Sequence, residues 1–180
     1  MSSSRKRSQI VAEVAVFAGL YFALTITLAP ISFLPFQVRV SDILIMASAI
    51  VGISATYGVF LGCILANLFP VGYPPNPIDI VGGSIANLLA SYAVYRIAYG
   101  RQGKLRLTIA SLTSASIITL IVGSYLPFII LPNVSWGDVV WLGYTGVFPG
   151  ELISQTILGL PLITAVKKVL EARKLQIKEY

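Results

Sequence analysis

The chain of 180 residues has no histidine, a single cysteine and few charges, with Asp, Glu, Lys and Arg making up 11% of it. An ordinary soluble domain carries about 25% charged residues. The absence of imidazole removes the commonest general acid–base side chain and excludes His-ligated metal sites. Cys63 stands alone in an apolar run, so neither an internal disulfide nor a CxxC pair can form. Its simplest role is that of a small buried packing residue. No phosphate loop of the form GxxxxGK followed by Ser or Thr occurs, which excludes nucleotide hydrolysis by that route.

Apolar side chains are abundant: 56% of the residues are hydrophobic and the mean hydropathy is +0.84. Six spans of ~20 residues, each long enough for a ~30 Å hydrocarbon core, would use roughly 120 residues. The remainder suffices for loops and tails but not for a second domain. The fold class expected is therefore an all-α, polytopic membrane protein. The net charge of +6 fits membrane topology rather than nucleic acid, because the basic residues gather in three short clusters. The N-terminal MSSSRKRSQ is basic and polar, but the apolar stretch behind it is long and has no clean cleavage site. It reads as a retained first span.

Apolar runs extend from Ile10 to Ala29, Ile43 to Phe69, Ile78 to Ala98, Leu107 to Leu131 and Val139 to Val166. The second is too long for one comfortable crossing, about 43 Å as a helix from Ser41 to Phe69. Split near Gly52-Ile53-Ser54, it makes two short helices. Charge parity decides between these readings. Arg5-Lys6-Arg7, the group Arg96, Arg101, Lys104 and Arg106, and the C-terminal group from Lys167 to Lys178 all belong on the cytoplasmic side. An even number of crossings must then separate the first two groups, so the second run crosses twice. This predicts six spans with both termini cytoplasmic: a basic tail over residues 1–9, one membrane domain over 10–168 and a C-terminal tail over 169–180. Arg39 alone among the basic residues falls outside. No internal repeat is evident beyond two Ala-Asn pairs, at Ala66-Asn67 and Ala86-Asn87.

The segment PFQVRVSD concentrates Gln37, Arg39, Ser41 and Asp42 at the outer end of a short span. Ser41 could cap that helix and Asp42 could favour its positive end while pairing with Arg39. That account explains Gln37 and Arg39 less well than a ligand site does. Asn76-Pro77-Ile78-Asp79 has the form of a helix start, with Asn76 as cap and Pro77 at the first helical position. Asn67 and Asn87 are amides inside apolar helices, suited to bonding neighbouring helices or a ligand. Glu151 begins the membranous run LISQTILGLPLITAV, where an ionised carboxylate costs ~2.5 to 3.5 kcal/mol near the centre; it must face a partner, a cavity or the interface. Asp138 belongs in a solvated loop, and Trp136, Trp141 and Tyr144 suit an aromatic belt or stacking on a flat ligand. Ala15, Gly19 and Ala23 form a small-residue stripe along the first span, fit either for internal packing or for docking a partner.

Assembled, the outer carboxylates, amides and guanidinium suit a small, flat, polar ligand with donor and acceptor edges. A carboxylate accepts two N–H donors of a guanine-type edge, while an amide or Arg serves its carbonyl oxygen. No polar path through the inner half is visible beyond Glu13 and scattered hydroxyls, which argues against a simple ion channel.

In this order, FQVRVSDIL, YGVFLGCILANLF, DIVGGSIANLL and GELISQTILGLPL resemble the QueT family. These are substrate-binding membrane components, or S-components, of energy-coupling-factor (ECF) transporters for queuosine precursors. The similarity extends from about Phe22 to Lys168. It implies an S-component bundle of six helices that takes a 7-deazaguanine base from outside, with no catalysis and no cofactor or metal of its own. The partners implied are a transmembrane coupling protein and two cytosolic ATPases, consistent with the missing phosphate loop. Carried over by position, the substrate-binding residues are Gln37, Arg39, Ser41, Asp42, Asn67, Asp79, Ser84 and Glu151. The stripe at Ala15, Gly19 and Ala23 would dock the coupling protein. Two other classes remain as alternatives. A membrane enzyme would need Asp42, Asp79 or Glu151 as acid and base near a scissile bond. An accessory membrane protein would pair its polar residues within their own helices.

Overall fold

The computed structural model describes residues 7–32, 38–72 and 74–178, with side chains described as far as residue 172. Every regular element among them is a helix. The order is α1 (Arg7–Thr27), a short turn over Ala29–Ser32, α2 (Val40–Ala49), α3 (Ile53–Leu68), α4 (Pro77–Ala98), α5 (Lys104–Ile130) and α6 (Trp136–Ala172). The first five are separate rods; α6 is one long helix loosened into π winding over Val139–Tyr144 and Leu152–Gly159. Helices α1, α4, α5 and α6 are long and apolar enough to cross a membrane.

The second apolar run divides at Gly52, as expected from its glycine and serine. Gly52 has φ 86° and ψ −145°, a conformation open to glycine and costly for residues with a Cβ. Upstream, α2 is wound as a 3-10 helix of 10 residues and at about 2.0 Å per residue covers roughly 20 Å. Downstream, α3 has 16 residues and covers about 24 Å. Neither reaches ~30 Å alone.

Polarity is arranged inside out relative to a soluble domain. Large apolar side chains such as Val11, Leu61, Val81, Leu120 and Ile157 are exposed, whereas Asp42, Asn67, Asn87, Glu151 and Gln155 are buried. That is the arrangement a lipid solvent selects, since a polar group facing hydrocarbon has no partner. Small residues let the helices approach closely. A Cβ added to Gly58 would stand 2.9 Å from the Val14 carbonyl oxygen, and one on Gly62 would stand 2.7 Å from that of Ala18. The packing face of α1 is therefore the Val14, Ala18 and Tyr21 side. Ala15, Gly19 and Ala23 lie on the exposed side, and a Cβ on Gly19 would meet nothing within 4 Å. Of the two roles open to that stripe, internal packing is not the one it performs in this chain.

The two ends of the bundle differ. At one end the Lys167 ammonium donates to the Gln102 carbonyl oxygen at 3.0 Å, and the Gln102 amide donates to the Ala49 carbonyl oxygen at 2.8 Å. The α2–α3 junction, the α4–α5 turn and the C-terminal part of α6 thus meet where the basic residues gather. At the other end α4 starts on Asn76, whose side chain accepts from the Ile78 amide at 2.9 Å, with Pro77 following. There α6 opens on a reciprocal cap between Ser135 and Asp138. Trp136 and Trp141 are 86% and 72% exposed, fitting an aromatic belt.

Candidate functional site

Away from the basic end, all six helices contribute polar side chains to one buried cluster. Its outermost layer forms around the start of α4. Asp79, in the first turn, accepts from the Tyr125 hydroxyl of α5 at 2.8 Å. From α3, the Asn67 amide donates to the Asp79 backbone carbonyl at 3.0 Å and lies 3.6 Å from the Cys63 sulfur. Arg39, just before α2, brings its Nη1 within 3.8 Å of the same sulfur. Gly83 leaves room for this meeting, because a Cβ there would stand 2.9 Å from the Asn67 amide nitrogen and 3.3 Å from the Tyr125 hydroxyl.

The middle layer centres on Asp42. One carboxyl oxygen accepts from the Tyr21 hydroxyl of α1 at 2.6 Å and from the Asn87 amide of α4 at 3.1 Å. Asn87 also donates to the Tyr21 oxygen at 2.6 Å, closing a triangle. The Glu151 carboxyl group of α6 is an electrostatic neighbour of Asp42 in this layer. Next to this layer the Thr25 and Ser41 hydroxyls meet at 2.7 Å.

A third layer runs onward along α5 and α6. The Gln155 amide donates to Glu151 at 2.6 Å, and the Ser114 hydroxyl donates to the Gln155 oxygen. Beyond it the Thr156 and Ser111 hydroxyls meet at 3.2 Å. The hydroxyls that look scattered in the sequence are thus strung together from the acids towards the basic end. The expectation of no inner polar path is corrected here: spacing along one helix does not reveal which residues of two helices will face each other.

Charge is distributed unevenly. Arg39, Asp42, Asp79 and Glu151 are 7%, 1%, 7% and 3% exposed, so three acids and one guanidinium share a low-dielectric interior. Arg39 is the bridge between layers, with Tyr21, Cys63, Asp79 and Asp42 as its electrostatic neighbours. Isolated ions there would cost several kcal/mol each, so they persist because each is hydrogen-bonded or paired. Three acceptors or donors remain over. The Asn67 Oδ1 and the Ser91 and Ser154 hydroxyls are buried without a hydrogen-bond partner among the described residues. Buried polar atoms of this kind are rare and call for an explanation.

Of the residues singled out in the sequence, Arg39, Asp42, Asn67, Asp79 and Glu151 come together in the cluster. Ser41 is buried beside it and bonds to Thr25 instead of capping α2, whose cap is Arg39 with no side-chain bond. Ser84 is buried, but its hydroxyl donates to the Ile80 carbonyl of its own helix at 2.6 Å. Gln37 lies outside the described residues. Asp138 is half-buried and lies not in a loop but in the first turn of α6, where it and Ser135 cap each other. Cys63 is buried as expected, and in addition touches Arg39 and Asn67. Tyr21, Tyr125 and Gln155 were not anticipated, and Asn87 was expected to bond a neighbouring helix with no acid specified. Gln155 had a usable signal, since it follows Glu151 by four residues and so shares its helix face. The tyrosines had none, because a phenol in an apolar run looks like any other lipid-facing aromatic.

The cluster is built on three carboxyl groups and one guanidinium, all buried. Among the described residues no group of three His, Cys, Asp or Glu side chains is disposed to hold a metal ion. What it offers is a set of carboxyl, amide, phenol and guanidinium groups gathered in one buried network. The family model described as QueT transporter matches residues 11–168. No significant match was found among curated proteins or among solved structures.

Proposed function

The chain belongs to the QueT transporter family, and from that premise we propose that this membrane transport component captures a queuosine precursor, a 7-deazaguanine base, in the polar cluster for uptake. The observation that carries this reading is the convergence of Arg39, Asp42, Asn67, Asp79 and Glu151 at the end of the bundle away from the basic residues. Asp42 or Glu151 would accept the paired N–H donors of the guanine-type edge, and Arg39 would serve its carbonyl oxygen. The unfilled Asn67 Oδ1 would take a further N–H. Gln37 and Ser41 would complete the wall, and Ser84 would back it through its backbone rather than its hydroxyl, which is bonded to Ile80. Three acids against one guanidinium favour a cationic aminomethyl base over the neutral nitrile. Transport itself needs no acid–base or metal chemistry from this chain.

The supporting topology is six crossings of one membrane domain, residues 10–168, between cytoplasmic tails at 1–9 and 169–180. The short α2 and α3 would make the second and third crossings in the cell membrane. Energy would come from an ECF module of a transmembrane coupling protein and two cytosolic ATPases. The exposed Ala15, Gly19 and Ala23 would seat the coupling protein, since small residues allow close helix approach. The file from Glu151 through Gln155 and Ser114 favours a second reading, in which the solitary chain itself moves a vitamin-like or purine-like ligand. Uptake into vesicles holding the chain with and without the ATPase module separates the two. Uptake only with ATP and the full module is expected; equal uptake by the chain alone would give the second reading the lead.

A further inference from the structure

On the outer surface of the bundle, at its basic end, a groove of about 540 Å³ lies between α5 and α6. That volume falls within the usual ~300–1,000 Å³ of ligand pockets. Its floor is apolar, formed by Leu107, Leu160, Pro161 and Ala165. Three threonines also line it, but their hydroxyls are already engaged. Thr108 donates to the Lys104 carbonyl at 3.1 Å, Thr164 to the Leu160 carbonyl at 2.7 Å, and Thr156 meets Ser111 at 3.2 Å. An aliphatic chain can therefore fill the groove without stranding a polar group. Lys104 and Lys168 line the same groove from the two helices. Both are exposed, and neither ammonium has an ion pair or hydrogen bond among the described residues. The neighbouring Leu105, Ile109 and Ile157 are exposed as well, so the groove opens onto the lipid-facing surface.

We propose that this groove is a binding site for an anionic phospholipid, with the acyl chain on the apolar floor and the phosphate between Lys104 and Lys168. Charge complementarity selects this occupant: two ammoniums at one end of an apolar trough match an amphiphile with one anionic head and an aliphatic tail. A basic pocket between membrane helices next to a charged surface is the setting in which such headgroups are retained. The assignment is independent of the transported ligand.

The test uses the full chain, purified in mild detergent and titrated with phosphatidylglycerol or phosphatidylcholine of matched chains, with bound lipid counted by native mass spectrometry. The wild type is expected to hold one phosphatidylglycerol in preference to phosphatidylcholine. The double variant K104Q/K168Q should hold it about twenty-five-fold more weakly, at about fivefold per ammonium. Arg101→Gln, at the same end but outside the groove, should leave retention unchanged. Monodisperse elution and an unchanged thermal midpoint in lipid-free detergent show that the variants are folded. Equal retention of the two lipids, or unchanged retention by the double variant, would overturn the proposal. Unchanged lipid retention together with lost capture of the coupling protein would overturn it in favour of a protein-docking surface.

Discussion

Tyr21 and Asn87 hold Asp42 from two helices, and this triangle is where individual side chains matter most. Asp42→Asn keeps one acceptor oxygen for Tyr21 and Asn87 but replaces the other with an NH2 donor and removes part of the negative charge of the cluster. Binding of a deazaguanine should fall at least tenfold, about 1.4 kcal/mol, while the protein still elutes as a folded species. Unchanged affinity, measured by titration calorimetry, would take Asp42 out of the site. Tyr21→Phe breaks two buried hydrogen bonds without changing volume, so it should cost about 1–3 kcal/mol of stability, read as a lower thermal midpoint. Ser84→Ala is the contrast, because its hydroxyl serves only the Ile80 carbonyl; affinity should stay within about twofold. At this level the sequence was partly legible. Charged and amide residues in apolar runs announce themselves, because leaving them unsatisfied in lipid is so costly. Ser84 carries the same chemistry but satisfies itself locally, and nothing in the sequence distinguishes the two situations. Tyr21 and Tyr125 are hidden for the opposite reason, their phenol tips being carried on apolar bodies.

Helix α1 presents two faces with opposite tolerance for bulk. Its Val14 and Ala18 carbonyl oxygens lie against Gly58 and Gly62 of α3, where an added Cβ would come within 2.9 and 2.7 Å of them. Gly62→Leu must push the backbones apart, and overpacking costs typically ~1–3 kcal/mol and occasionally more. A lowered thermal midpoint and loss of ligand binding together are expected; a wild-type midpoint would contradict the packing described. Gly19→Leu faces open space, so the fold and ligand binding should survive. What should weaken is capture of the coupling protein in a pull-down, and an intact complex would end the docking role of Ala15, Gly19 and Ala23. The break at Gly52 was legible, because a glycine in an overlong apolar run marks a change of direction. Which face of α1 meets α3 was not, since Ala15, Gly19 and Ala23 and the Ala18 side are equally small. The π winding of α6 left no pattern to read either: it shifts the helix face gradually, and periodicity is judged on an ideal turn.

The whole molecule is a bundle with apolar flanks, a polar interior and one basic end. Much of that was legible, because hydropathy and the bias of Lys and Arg are properties of composition and order. Gathering Arg96, Arg101, Lys104 and Lys167 at one end demands an even number of passes between them, whatever the packing. The convergence of Arg39, Asp79 and Glu151 on one outer pocket is expected from the sequence; their layering around Asp42 depends on helix rotation, which no charge count contains. The central claim is that this cluster takes a 7-deazaguanine base, and equilibrium binding to the purified chain tests it most directly. The aminomethyl and nitrile deazaguanines would be titrated beside guanine and riboflavin as controls. The account predicts saturable binding of a deazaguanine below ~1 μM, tighter for the cationic aminomethyl form and absent for riboflavin. No binding of either deazaguanine to protein shown to be folded would contradict it.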